Sequence, residues 1–131
     1  MELRSVEELM DLLYACGHEH ALRTAALLRR TRPADKELQI AGLVHGIGEL
    51  LGPDDETARA DRAADAVRTL LGERVHRLVR RRGGPADEDV TRLRHAVEEG
   101  RSARFDAGVL EDWRTVLELV AARNSPLGAV D

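Results

Sequence analysis

With 131 residues, 43% of them apolar and 34% charged, the chain has material for one domain with a single core and no second set of hydrophobic segments that would need another. A net charge of −4 makes the average electrostatic interaction with nucleic acid or an anionic membrane repulsive, and the only aromatics, Tyr14, Phe105 and Trp113, offer no base-stacking platform. The single cysteine, Cys16, excludes an internal disulfide and a thiolate-rich metal site, no apolar run is long enough to cross a bilayer, and Met1-Glu2-Leu3-Arg4 lacks a signal-peptide pattern; the expected compartment is the cytoplasm.

In chain order the apolar residues recur at helical spacing. Ser5-Val6-Glu7-Glu8 reads as a capping box opening a first helix on Val6, Leu9, Met10 and Leu13, which stops before Gly17. A second helix begins around His18-Glu19-His20, buries Ala21, Leu22, Ala25 and Leu28, and ends at Thr31-Arg32-Pro33, where proline disfavours helical geometry in the residue before it. Asp35 is a good N-cap for a third helix on Leu38, Ala41, Val44 and His45. Gly52-Pro53-Asp54-Asp55 is a turn that caps a fourth, with Ala60, Ala63, Ala64, Val67, Leu70 and Leu71 inside, stopped by Gly72.

Glu73 to Arg82 forms a short fifth helix on Val75, Leu78 and Val79, broken by Gly83-Gly84-Pro85. Asp87 caps a sixth on Val90, Leu93 and Val97, with Gly100 as its expected end, and a last helix starts near Asp106, burying Val109, Leu110, Trp113, Val116, Leu117 and Val120. The reading is therefore an all-α, single-domain bundle of about six to seven helices over residues 1–124, with 125–131 as a tail.

Within the run Ile40 to Gly52, His45 and Glu49 are one imidazole and one carboxylate among apolar residues and glycines, where a polar group must find a partner or cost free energy. Glu49 in such surroundings would have a raised pKa, useful to a general acid or base. Arg74, Arg77 and Arg80-Arg81-Arg82 make the fifth helix strongly basic, which fits either a wet surface or forked hydrogen bonds to an anion. Asp61 and Asp65, one turn apart among arginines, read as a salt-bridged helix face, Cys16 as a small apolar filler, and His76 and His95 as surface groups.

From Glu19-His20-Ala21-Leu22 to Ala41-Gly42-Leu43-Val44-His45-Gly46-Ile47-Gly48 the chain resembles the HD-domain superfamily, whose pattern is a histidine on one helix followed by A-x-L-x-H-D-I-G after the next. The nearest likeness is to the small HD-type di-iron oxygenases of phosphonate degradation, related to inositol oxygenase; the His20 to His45 spacing, the Gly83-Gly84-Pro85 breaker and Trp113 carry it. That family holds two metals on four histidines and two aspartates. The resemblance keeps His20 and His45 as ligand positions, but puts Gly46 at the bridging aspartate, Asp61 at the next histidine, Arg82 or Arg81 at the following one and Arg114 at the last aspartate. Glu49 stands at a substrate-facing histidine.

Glycine and guanidinium cannot hold a dinuclear cation, so the resemblance implies an HD-like bundle with no metal and no other cofactor. The expected function is binding or metal-free acid/base transformation of a small polar or anionic metabolite, as a lyase, isomerase or hydrolase if the protein is catalytic. Its expected site has His20, His45 and Glu49 as catalytic groups and Tyr14, Arg82 and Arg114 as ligand-binding groups. Two alternatives stay open: a metal-dependent HD phosphohydrolase or oxygenase with one ion on His20, His45 and Asp61 or His18, and a non-catalytic module that binds a protein. A homodimer also stays open; nucleic acid and membrane are not expected partners.

Overall fold

In the computed structural model, residues 2–16, 18–48, 55–80 and 87–124 are described, Glu56 and Thr57 by their backbone alone. Among the described residues seven α-helices make up an all-α domain: α1 Val6–Ala15, α2 Glu19–Thr31, α3 Lys36–Val44, α4 Glu56–Leu71, α5 Glu73–Arg80, α6 Glu88–Ser102 and α7 Arg114–Arg123, with a 3-10 turn Leu110–Trp113 leading into α7. The Gly52-Pro53 turn, the Gly83-Gly84-Pro85 breaker and the tail lie outside the described residues.

Side-chain caps open four of these helices where the sequence places them. Ser5, Asp35, Asp55 and Asp87 accept the backbone N–H groups of Glu8, Leu38, Ala58 and Val90 at 2.8 to 3.1 Å, satisfying donors that the first turn leaves without an intrahelical partner. The capping box of α1 is displaced by one residue: Glu8 reaches back to the N–H of Arg4 rather than of Ser5. Leu3, fully buried, anchors this entry segment to α4, with its N–H on the Ala66 carbonyl at 2.8 Å.

The central element is α3, in which every residue from Leu38 to Val44 is buried. A helix apolar all round must be enclosed on all sides, and α3 packs on α2, α5, α6 and α7, while α4 and α5 pair as a hairpin and α1 lies on α7. Just beyond α3, a Cβ at Gly48 would collide with the carbonyl of Arg59, so the chain there runs against the α4 backbone. Trp113 is fully buried with the Arg29 guanidinium 4.9 Å from its ring centre, and its indole N–H has no hydrogen-bond partner among the described residues.

Two expected boundaries move. α6 continues through Gly100 to Ser102, because Gly100 is buried against α2 and extends the Leu93, Val97 stripe. Asp106 does not cap the last helix; it accepts the Gly108 N–H at 2.8 Å in a turn where Gly108 has φ +85°, and Val109, expected inside, is 60% exposed.

Arg74 on α5 ties the starts of two other helices together. Its guanidinium forks onto both Asp35 oxygens at 2.6 and 2.7 Å, and also meets Glu37 at 3.2 Å and Asp89 at 3.0 Å, joining the first turns of α3 and α6. Hydrogen bonding from Arg74, against the cost of burial and together with the Leu38 N–H, holds the Asp35 carboxyl below its usual range; the same bond raises Arg74. Because the folded pKa of Asp35 is depressed, its stabilisation is present above the ordinary aspartate value and is lost as pH falls through the folded one. Arg74→Met is expected to cost about 1–2 kcal/mol at neutral pH, after allowance for solvent at a side chain about one-third exposed, and to flatten the acid limb below about pH 4; urea titrations from pH 3 to 7 measure both. Gly48→Ala, which pushes the chain beyond α3 off the α4 backbone at Arg59, is expected to cost about 2–3 kcal/mol in the same assay.

Candidate functional site

His20 is carried by the first turn of α2 and His45 caps the C-terminus of α3. Antiparallel packing of α2 on α3 brings the two rings edge to face, with centroids 5.3 Å apart and planes at 89°. Both residues are half-buried.

The tautomers follow from the partners. His20 Nε2 lies 2.9 Å from the Val97 carbonyl of α6, and His45 Nδ1 lies 2.6 Å from the Gly42 carbonyl of its own helix. A carbonyl oxygen only accepts, so each of those nitrogens must carry the proton. In the neutral His20 ring the lone pair then resides on Nδ1, the atom able to take a proton or a ligand's hydrogen bond.

Small residues and cross-helix bonds hold this arrangement. A Cβ at Gly100 would stand 2.9 Å from Thr24 Oγ1 and 3.2 Å from the His20 ring, so only glycine lets α6 approach α2 this closely. Arg23 donates to the Gly100 carbonyl at 2.9 Å, and the Thr24 hydroxyl to the His20 carbonyl at 3.0 Å. Gly46, directly after His45, is open: a Cβ there meets nothing within 4 Å.

Of the other expected site residues, Glu49 and Arg82, with the alternative Arg81, lie outside the described residues. Tyr14 is 50% exposed and sets its ring against His18, at 5.4 Å and 85°, in the connection between α1 and α2; its ring contact is with His18, not with the histidine pair. Arg114 is engaged by carboxylates, donating to Glu111 at 2.7 and 2.8 Å and pairing with Glu7 of α1. These bonds, Glu111 first, raise its pKa further and lower that of Glu111. Its role in the structure is to join α7 to α1 rather than to present an unpaired charge to a ligand.

Asp61 meets Arg80 at 3.3 Å, and Asp65 accepts from His76 Nε2 at 2.9 Å, so each member of this acidic pair has a partner on α5. His76 itself corrects the surface reading: packing of α5 on α4 buries it to 7% exposure, with its ring turned toward Asp65. Cys16 packs against the edge of the core, and His95 is exposed.

Among the described residues no group of three or more His, Cys, Asp or Glu side chains stands close enough to hold a metal ion. The donors that a dinuclear centre needs are not assembled there: Gly46 supplies none, and Asp61 is taken by Arg80. Val97 and Gly100, which orient His20, were missed as site residues; their signal is Gly100 falling in step with Leu93 and Val97 on one helical stripe.

Comparison with protein-family models, with curated proteins and with solved structures found no match for this chain.

Gly100→Leu should push the His20 ring off Val97 and out of contact with His45. The expected result is a loss of about 1–3 kcal/mol of stability together with a downfield move of the His45 ring-proton resonances as the neighbouring ring current is removed. Unmoved resonances would mean that the ring contact does not depend on the glycine.

Proposed function

We propose that this chain is a divergent HD-fold protein that has given up a dinuclear metal site and uses the surroundings of His20 and His45 to bind or transform a small polar or anionic metabolite by metal-free acid/base chemistry. The observation carrying this reading is the edge-to-face histidine pair, each ring with one nitrogen committed to a backbone carbonyl. Such an arrangement suits proton transfer, because the backbone carbonyls hold both rings in fixed orientations.

In this reading His20 and His45, whose rings are in contact, carry the proton transfer with the ligand. Glu49, four residues beyond His45, is assigned the opposite proton transfer, and Arg82 the ligand's negative charge. Tyr14 and Arg114 are left out, since their contacts are with His18 and with surface carboxylates. The open space at Gly46 supports descent from a His-Asp pattern, because a side chain at that position is admitted without a clash.

Two experiments bear on this. A thermal-shift panel of small phosphates, carboxylates and polyols, in buffer with chelator, is expected to yield a stabilising ligand whose effect disappears in His45→Ala; tight binding of two metal ions per chain, or a ligand indifferent to His45→Ala, would overturn the metal-free site. Gly46→Asp restores the adjacent His-Asp pair and is expected to tighten manganese binding at least tenfold over the natural chain, measured by calorimetry. An unchanged affinity would count against the HD ancestry.

A further inference from the structure

Residues 103–109, between α6 and the 3-10 turn, are irregular in backbone, and both ends of the connection are pinned. The Ala103 N–H donates to the Glu99 carbonyl at 3.1 Å, and the Val109 N–H to the Asp112 carboxylate at 3.1 Å. Gly108, with φ +85°, makes the turn before the second pin, where a Cβ would stand 2.6 Å from that carboxylate.

The middle is held differently. Among the described residues, no backbone group of Arg104, Phe105, Asp106 or Ala107 makes a hydrogen bond, and the Gly108 N–H turns back onto the Asp106 side chain of the same stretch. Its fastenings are side chains: Ala107 packs at the edge of the core, and the half-buried Phe105 ring lies 4.4 Å from the guanidinium carbon of Arg30 on α2. Arg104, Asp106 and Gly108 are exposed. A segment with few buried apolar contacts and a backbone free of the helical ladder opens at lower free energy than the helices beside it.

A cavity of about 280 Å³ separates this stretch from α2, with Glu19, Leu22 and Arg23 on one side and residues 105–108 on the other. The α2 side is fixed, since Leu22 belongs to the core and Arg23 Nε donates to the Gly100 carbonyl of α6 at 2.9 Å. Two consecutive arginines of α2 hold different parts of the chain that follows α6: Arg30 lies over Phe105 within the stretch, and Arg29 over the fully buried Trp113 beyond it.

We infer that residues 103–109 form a flap, latched to α2 by the Phe105–Arg30 stack, which lifts to open this cavity while α6 and α7 stay seated. Lifting it breaks one cation–π contact and the packing of Ala107, but no backbone hydrogen bond of residues 104–107. A cation–π contact at an exposed site shifts such an equilibrium by only about twofold to fivefold, so the latch is reversible. The pinned ends return the flap to the same place. This inference does not depend on the histidine site.

Phe105 is the only phenylalanine, so 4-fluorophenylalanine reports on the latch alone. Its fluorine resonance is expected to move toward that of the free amino acid in Arg30→Gln. Trypsin is expected to cut the folded chain at the Arg104–Phe105 bond, at a rate nearly independent of urea below the unfolding transition and about twofold to fivefold faster in Arg30→Gln. A soluble gadolinium chelate should relax the Leu22 methyl resonances more strongly in that variant. Arg29→Gln, and Arg68→Gln on α4, should leave the cleavage rate unchanged. The inference is overturned if cleavage at that bond follows global unfolding in urea, if Arg30→Gln leaves the rate or the fluorine resonance unmoved, if Arg29→Gln accelerates cleavage as much, or if the Leu22 methyls gain no relaxation from the chelate.

Discussion

The enclosure of α3 governs the rest of the molecule. A nine-residue helix buried from Leu38 to Val44 has no face left for water, so α2, α5, α6 and α7 must each cover a side of it. That requirement fixes where the ends of α3 emerge: Asp35 beside α5 and α6, and His45 beside the first turn of α2. The candidate site is thus a by-product of core packing, with His45 delivered by a helix that its neighbours enclose.

Electrostatics act at the opposite end of that helix. Arg74 gathers Asp35, Glu37 and Asp89, carboxylates that also favour the positive N-terminal ends of α3 and α6, and so sets the spacing of these two helices. The spacing in turn aligns α6 along α2, where the Val97 carbonyl selects the His20 tautomer and Gly100 clears room for the ring.

The all-α architecture and the N-terminal caps were legible because they rest on local bonds: an Asp or Ser side chain meets an amide three residues on, whatever the tertiary fold. What misled was tertiary. Gly100 reads as a helix stop, yet close approach of α2 recruits it into the helix interior; Val109 reads as core, yet the Gly108 turn points it outward; His76 sits among charged neighbours, yet α4 covers it. At the site, His20 and His45 were found through their pattern, but the partner that sets the His20 tautomer lies 77 residues away and leaves no mark in the nearby sequence. Arg114 shows the converse: an arginine whose alignment suggested a ligand role is claimed by Glu7 at the far end of the chain.

Trp113 is the only tryptophan, fully enclosed where the 3-10 turn enters α7, with a guanidinium over its ring. An indole in such a place emits in the blue and is sensitive to the cation above it. Its fluorescence is therefore an internal gauge of whether α7 is seated against the bundle. Since Arg29 belongs to α2, the same helix that carries His20, a ligand that shifts α2 would register in that emission without any label being attached.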